Sequence, residues 1–273
     1  MKKLFKTIYT ISFILLLAGC SPKDKPVSAP AGDSQPWYAD NRLIYHACGG
    51  IDRLPYTNSK EAMEKTLAEG KRIIEVDFNY TSDHYLVCVH NWDDAFFNLE
   101  SQPDKALFSA LKIQGKYSAM GIEDVITYMR QYDDLNIVID AKPDNLPLVI
   151  STIKGRSGYD EDIMDRFIVQ LYQPGQKAAV SRVYDFPKEN YLFTCYKYST
   201  DYEVILQLCR DEDINVVTVS TGKFPDEAMK IFADENICVY EHTINRPDKA
   251  QSRLDNGVWG IYTDFLNESD LDF

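Results

Sequence analysis

Only four histidines occur in this 273-residue chain, and two of them bracket a short acidic stretch. His46 opens His46-Ala47-Cys48-Gly49-Gly50, Glu75 and Asp77 stand two residues apart within Arg72 to Phe78, and His90 closes the run; Asp140-Ala141-Lys142 follows downstream. The types make a working set: two imidazoles that exchange protons near neutral pH, three hard carboxylates and a fixed ammonium. Oxygen donors of this kind suit one divalent cation, Mg²⁺ or Ca²⁺, better than zinc, which draws nitrogen and sulfur. A cation and Lys142 can offset charge on phosphate oxygens while His46 and His90 share the proton transfers as general acid and base. That is the chemistry of breaking a phosphodiester.

Groups so far apart in sequence need a scaffold that gathers them. Eight β-type runs recur along the chain, at Leu43 to His46, Arg72 to Phe78, Asn136 to Asp140, Arg166 to Gln170, Tyr191 to Thr194, Ile214 to Val219, Ile237 to Glu241 and Trp259 to Tyr262, with amphipathic stretches between most of them. Asn58-Ser59-Lys60-Glu61 has capping-box spacing and leads into a helix ending at Gly70, and Gly121-Ile122-Glu123-Asp124 starts another. Repeated strand–helix units close most economically into an α/β fold of distorted (β/α)8 TIM-barrel type, whose chemistry sits at the C-terminal ends of the strands. His46, Glu75, Asp77, Asp140 and Lys142 all fall at such ends, so the fold predicts one shared mouth.

One segment breaks the rhythm. Only twelve residues lie between Asp77 and His90, too few for a helical crossover, so a hairpin is expected. With Asp83-His84 as a two-residue loop, paired residue numbers sum to 167, which sets Asp77 opposite His90 and Asn79 opposite Cys88. Opposed residues share a face with β-carbons roughly 5 Å apart, and Glu75 shares the face of Asp77. The stretch from Asn91 to Met120, too irregular to read, takes the place of a helix. His84 reads as an exposed turn residue and His242 as a strand-end residue able to line the pocket.

Lys2, Lys3 and Lys6 precede an apolar run that ends in Leu17-Ala18-Gly19-Cys20, the pattern of a secretory leader over residues 1–19. Those last four residues resemble the lipobox of bacterial lipoproteins, which implies lipidation at Cys20 and an extracytoplasmic, membrane-anchored protein. Residues 20–36 are rich in Pro, Ser and charge and read as a flexible tether, so the barrel is expected over 37–273 as one domain. The leader holds three of the 29 basic residues and no acid, leaving 26 basic against 42 acidic residues and a formal charge of −16. A surface so acidic excludes nucleic acid as a partner. Five cysteines remain beyond Cys20, an odd number without close pairing, and core packing is their ordinary role; Cys48 beside His46 has no neighbour spaced as in a thiol enzyme.

The order His…Glu-x-Asp…His resembles the glycerophosphodiester phosphodiesterase family and its relative, bacterial phosphatidylinositol-specific phospholipase C. The likeness runs through the domain: Asn58 at the first helix, Thr81-Ser82-Asp83 at a hairpin tip, the acid-x-lysine of Asp140 to Lys142, His242-Thr243-Ile244-Asn245, and Gly257-Val258-Trp259-Gly260-Ile261-Tyr262-Thr263-Asp264. It implies a metal-dependent phosphodiesterase in which Glu75, Asp77 and Asp140 hold the cation, Lys142 contacts phosphate, and His46 and His90 are catalytic on a glycerophosphodiester or related polyol diester. Departures point to a divergent subgroup. An arginine normally follows the first histidine to grip phosphate, whereas Ala47-Cys48-Gly49-Gly50 stands here, leaving Arg53 or Lys197 to supply that charge. Tyr56-Thr57-Asn58 replaces Pro-Glu-Asn, Asp140 is shorter than the usual glutamate, and Asn91 stands where aspartate commonly orients the second histidine. The alternative is a barrel that has lost catalysis and binds a phosphorylated or sugar ligand at the cell surface.

Overall fold

The computed structural model describes residues 35–92, 99 and 101–273; the expected leader, Cys20 and the tether up to residue 34 lie outside the described residues. In chain order the strands are β1 (Leu43–Tyr45), β2 (Ile73–Tyr80), β3 (Leu86–Cys88), β4 (Lys112–Ile113), β5 (Tyr117–Ser118), β6 (Asn136–Ala141), β7 (Phe167–Leu171), β8 (Tyr191–Thr194), β9 (Val216–Ser220), β10 (Cys238–His242) and β11 (Gly260–Thr263). The α-helices are α1 (Lys60–Ala68), α2 (Lys105–Ala110), α3 (Ile122–Gln131), α4 (Leu146–Arg156), α5 (Glu161–Met164), α6 (Gln176–Ser181), α7 (Tyr202–Glu212), α8 (Asp226–Asp234) and α9 (Pro247–Asp255). Strands β1, β11, β10, β9, β8, β7, β6 and β2 pair in that order, all parallel, and Tyr45 of β1 pairs with Ile74 of β2 to close the ring. The result is an eight-stranded parallel barrel flanked by helices, and each of the eight expected runs supplies one strand within two residues at either end.

Each strand is apolar on both faces because each face is covered. One cluster takes a single residue from every barrel strand, Ile44, Ile73, Val138, Ile168, Leu192, Val216, Tyr240 and Tyr262, with Trp37 below; this is the plug inside the barrel. A larger cluster takes the alternate residues, among them Val76, Ile139, Val169, Phe193, Val219 and Val239, and packs them against helix residues such as Met63, Val125, Val149, Ile205 and Phe232. The period of two along a strand therefore decides which side chain looks into the barrel. Two residues beyond the plug, the inward positions become Glu75, Asp140, Gln170, Thr194, Thr218 and His242.

Local signals set the elements. α1 and its closing Gly70, at φ 81, stand where expected, but the cap is Ser59, which accepts the Ala62 amide at 3.2 Å, and the Asn58–Glu61 box does not form because Asn58 turns to Asp77 and Glu61 to Ser118. Asp124 accepts the Gly121 amide at 3.0 Å at the start of α3. The segment between β3 and α3 holds, among its described residues, α2 and the small β4–β5 hairpin rather than a crossover helix.

A buried ion pair ties the last crossover to the barrel: the fully buried Glu241 of β10 accepts from Arg253 Nε and Nη2 of α9, both at 2.9 Å. Arg253→Leu leaves that buried carboxylate without its cationic partner and with only the Gly222 amide at 3.0 Å to satisfy it, and urea denaturation is expected to show a loss of about 3–5 kcal/mol. A loss below about 1 kcal/mol would show that Glu241 is already solvated by other means.

Candidate active site

His46 is the first residue past β1, where the chain turns sharply: Ala47, Cys48 and Gly49 carry φ values of 47, 70 and 80. The two glycines permit the approach. A Cβ on Gly49 would lie 2.4 Å from Thr66 Oγ1, and one on Gly50 1.9 Å from the Phe265 ring. Thr66 Oγ1 donates to the Cys48 carbonyl at 2.7 Å, so α1 holds the turn from below. Cys48 itself is fully buried, and burial pushes its thiol well above the ordinary value, which fits packing and not nucleophilic attack.

The C-terminal motif finds its purpose at His46. Asp264 Oδ1 sits 2.8 Å from His46 Nδ1, and Asn245 holds Asp264 twice, donating through Nδ2 to Oδ2 at 2.6 Å and accepting the Asp264 amide at 2.8 Å. Thr263 Oγ1 donates to Asn245 Oδ1 at 3.0 Å. An ionised carboxylate can only accept, so Asp264 fixes the proton on Nδ1 and leaves Nε2 as the exchanging nitrogen. Nε2 lies 3.8 Å from Glu75 Oε2.

Glu75 and Asp77 are 4% and 2% exposed, and Asp140 stands in register with Asp77 on the adjacent strand. Burial, opposed by His46 and reinforced by Asp140, pushes Glu75 up to about 7. Burial, then Asp140 and Glu75, push Asp77 well above the carboxylate range. Burial alone would lower His46, but Glu75, Asp264 and Asp77 outweigh it and lift the imidazole to about 9. Asn58, held at φ 47, clamps Asp77 by donating Nδ2 to Oδ2 at 2.8 Å and accepting its amide at 3.1 Å. On the other side Gln170 Nε2 donates to the Tyr172 hydroxyl, which donates to Asp140 Oδ1. Glu75 Oε2 is buried with no hydrogen-bond partner among the described residues.

The hairpin register differs from expectation. The pairs are Phe78–Cys88, Asn79–Val87 and Tyr80–Leu86, which sum to 166, and Thr81 and Tyr85 close a three-residue loop of Ser82, Asp83 and His84. The extra loop residue is accommodated because His84 takes φ 62 and Thr81 Oγ1 donates to Asp83 Oδ1 at 2.6 Å. Asp77 and His90 are therefore not cross-strand partners. His90 reaches the site from beyond the ladder: Cys88 is the last residue of β3, its amide already turned to the Met120 carbonyl. One ligand atom each from Asp77, His90 and Asp140 still lies within 4.8 Å of the others. Asn91 Nδ2 stands 2.7 Å from His90 Nδ1. Unlike the aspartate that steadies His46, an amide offers a donor or an acceptor to that nitrogen, so either tautomer is supported.

Two connected spaces open at this mouth. One, of about 230 Å³, is lined by His46, Glu75, His90 and Asp140 with Tyr56, Tyr196 and His242; the other is a cleft between Asp77, His90, Asp140, Lys142 and Lys197. Every expected site residue from His46 to Lys142 thus borders one of these two spaces, which share His90, Asp140 and Tyr196. The Tyr56 ring packs edge-on to both histidines, at 4.6 Å from His46 and 5.0 Å from His90. Lys197 Nζ rests over the Tyr172 and Tyr196 rings at 4.9 and 5.6 Å, whereas Arg53 is exposed and borders neither space. His242 lines the larger space, and burial with the nearby His46 holds it down to about 4, a neutral ring. Asp264, Tyr172, Tyr196 and Tyr56 were not singled out from sequence; only the recurrence of the closing Thr-Asp motif marked Asp264 beforehand.

A parallel barrel with an acidic, two-histidine mouth is thus the class that fold and geometry define. No model of a protein family matches the chain, and no curated protein matches it. Solved structures do: a glycerophosphodiester phosphodiesterase from Thermotoga maritima (TM-score 0.60, 18% identity, covering 81% of this chain and 93% of that one) and one from Parabacteroides distasonis (0.62, 14%, 82% and 92%). An Oleispira antarctica phosphodiesterase, solved with its product sn-glycerol-3-phosphate, superposes at 0.65 with 12% identity over 82% of this chain and 93% of that one. Likeness at these identities establishes a shared fold.

Glu75 at about 7 and His46 at about 9 both lie above their unfolded values, so the folded chain binds more protons than the unfolded one across the intervening pH range. Their contribution to stability is present below the unfolded values and lost as pH rises through the folded ones. The chelated protein is therefore expected to melt at lower temperature near pH 8 than near pH 5, by differential scanning calorimetry. Added Mg²⁺ or Ca²⁺ near pH 8 should restore the loss, and Asp77→Asn with Asp140→Asn should abolish that rescue. A melting temperature that climbs with pH in chelator contradicts the charge reading.

Proposed function

We propose that this protein is a metal-dependent phosphodiesterase that hydrolyses a glycerophosphodiester or related polyol phosphodiester. The observation that carries the reading is the convergence of three carboxylates and two imidazoles on two adjoining spaces, with Glu75 Oε2 buried beside them and without a hydrogen-bond partner among the described residues. Crowded carboxylates that resist ionisation are what an oxygen-liganded cation relieves, so the donor set fits Mg²⁺ or Ca²⁺ held by Glu75, Asp77 and Asp140, with His90 within reach of the latter two. Bound there, the cation supplies positive charge toward the phosphoryl oxygens.

The chain's own residues do the rest. Lys142 and Lys197 line the cleft beside Asp77 and Asp140 and present two ammonium groups to a phosphate. Lys197 supplies the charge for which no arginine follows His46, which sets hydrolysis ahead of a binding-only barrel. His46, steadied by Asp264 and kept protonated by its acidic neighbours, gives a proton from Nε2 to the leaving alkoxide. His90 takes the proton of the attacking nucleophile, which is water or a neighbouring substrate hydroxyl whose cyclic phosphate water then opens. Solved neighbours of the same fold carry phosphodiesterase names, and one was solved with sn-glycerol-3-phosphate. For location we propose that the chain is anchored outside the cytoplasm by lipid on Cys20, on the strength of the lipobox-like sequence.

His46→Ala and His90→Ala are each expected to lower kcat on bis(p-nitrophenyl) phosphate and on glycerophosphodiesters by about 10²- to 10⁴-fold, with cation present. Activity that survives both substitutions removes them from catalysis. Lys142→Ala and Lys197→Ala should each cost about 10- to 100-fold in kcat/KM, the weight of a charged hydrogen bond to phosphate; an unchanged value for Lys197→Ala would return that contact to another residue. Cys20→Ala should move the protein from the membrane to the soluble fraction in the expressing cell, and unchanged partitioning would refute the anchor.

A further inference from the structure

A directed line of hydrogen bonds crosses the barrel and ends on one of the three carboxylates. Tyr262 of β11 donates its hydroxyl to Gln170 Oε1 at 3.2 Å, Gln170 Nε2 donates to the Tyr172 hydroxyl, and Tyr172 donates to Asp140 Oδ1. Tyr262, Gln170 and Tyr172 are all buried, so the line is sealed from bulk solvent. The backbone beside it is fixed as firmly. Gln176 Oε1 accepts the Tyr172 amide at 2.6 Å and the Gln173 amide at 2.9 Å, while Gln176 Nε2 donates to the Pro143 carbonyl at 3.1 Å. One side chain thus ties the turn after β7 to the turn after β6, which holds the phenol at the carboxylate it meets. Asp77 is held in the same manner, since Asn58 Nδ2 donates to its Oδ2 at 2.8 Å.

We propose that Tyr172 is a positioning residue for the cation: by holding Asp140 Oδ1 it leaves that side chain one oxygen to give, Oδ2, and so biases the site toward Mg²⁺ over Ca²⁺. A carboxylate grips a cation with one oxygen or with both, and Ca²⁺, which takes about six to eight oxygens, is the ion that gains from the two-oxygen grip. Mg²⁺ takes about six at shorter range and keeps several waters among them. With Asp140 Oδ1 and Asp77 Oδ2 committed to neutral donors, the two aspartates offer one oxygen apiece, and Glu75 adds the buried Oε2 that has no hydrogen-bond partner among the described residues. So small a set of protein oxygens leaves places for waters and phosphate oxygens on a six-coordinate ion and falls short of what Ca²⁺ draws. A neutral donor also leaves the carboxylate its charge, whereas an ammonium in place of the phenol would cancel it. The shorter side chain of Asp140 serves the same end, because a glutamate there would have one more rotatable bond with which to swing both oxygens onto the ion. The proposal deepens the phosphodiesterase reading and rests on it for the presence of a cation.

Isothermal titration of the chelated full chain with MgCl₂ and, separately, with CaCl₂ tests the assignment without substrate. Mg²⁺ is expected to bind at least as tightly as Ca²⁺. Tyr172→Phe keeps the ring against Lys197 and Tyr196 and removes only the hydroxyl. It should weaken Mg²⁺ about 10- to 100-fold while Ca²⁺ affinity holds or rises, so that the preference inverts. A residue that merely supports the fold would weaken both ions together, which makes the ratio of the two affinities the deciding quantity. Gln170→Met, which takes away the amide that orients the phenol, should move the ratio in the same direction and reads the same quantity if Tyr172→Phe fails to fold. Tighter binding of Ca²⁺ by the unaltered chain, an unchanged ratio in the variants, or no binding of either ion overturns the proposal. Cleavage of diesters with no inversion in the variants defeats the role of Tyr172 and spares the enzyme reading; the inversion without any diester cleaved defeats the enzyme reading and spares Tyr172.

Discussion

Three carboxylates are forced together at the open end of a barrel whose interior below them is an apolar plug. Glu75 and Asp77 are almost wholly buried, Asp140 sits one strand away in register with Asp77, and its charge raises the cost of ionising both, as Glu75 does for Asp77. Nothing in ordinary packing rewards such crowding, since a buried carboxylate without a partner is among the least favourable groups a fold can hold. The surrounding chemistry answers that burden: the Asn58 clamp, the Tyr172 hydroxyl and the elevated His46 all compensate part of the negative charge. What they leave includes Glu75 Oε2, buried with no hydrogen-bond partner among the described residues.

The barrel makes this possible by separating two jobs along each strand. Residues facing the helices and residues of the internal plug supply the apolar burial, and the position two residues past the plug is released for chemistry. Polar groups at those positions cost the fold little so long as they line an open mouth. Loops then bring in what strands cannot: His46 from the turn after β1, His90 from beyond β3, Lys142 after β6 and Lys197 after β8. Orientation comes from a further layer, in which Asn245 and Thr263 fix Asp264, and Asp264 fixes His46.

The residues that set this chain apart from the family it resembles are grouped, not scattered. Gly49 and Gly50 occupy the place after His46 where packing against Thr66 and Phe265 leaves no room for a side chain, and cationic charge is found instead at Lys197 across the cleft. Asp140 is shorter than glutamate, and the Tyr172 hydroxyl reaches to it in turn. His242 stands at an aromatic position and carries a ring nitrogen into the barrel. Lys197, Tyr172 and His242 carry charge and hydrogen-bonding capacity on the β7 to β10 side of the mouth.

Much of this was legible in the order of residues alone, for definite reasons. Period-two apolar runs had to be strands covered on both faces, so all eight barrel strands could be placed within two residues. Chemistry at strand ends then followed from the fold, which put His46, Glu75, Asp77, Asp140 and Lys142 on one mouth. The hairpin shows where that reasoning ends: one extra loop residue, permitted by positive φ at His84, moves the register by one, and no pattern of types distinguishes the two loops. That His90 nonetheless joins Asp77 follows from the two residues that run on past β3, where the Asn79 side chain of β2 donates to the His90 carbonyl at 3.3 Å. Likewise Asp264, Tyr172 and Tyr196 are ordinary residues until the barrel closes, because what gives them a role is a neighbour some 32 to 218 positions away. Sequence determined which groups exist and which strand ends carry them; only tertiary structure decided which of them touch, since contact depends on register, loop length and closure of the ring, and local pattern encodes none of these.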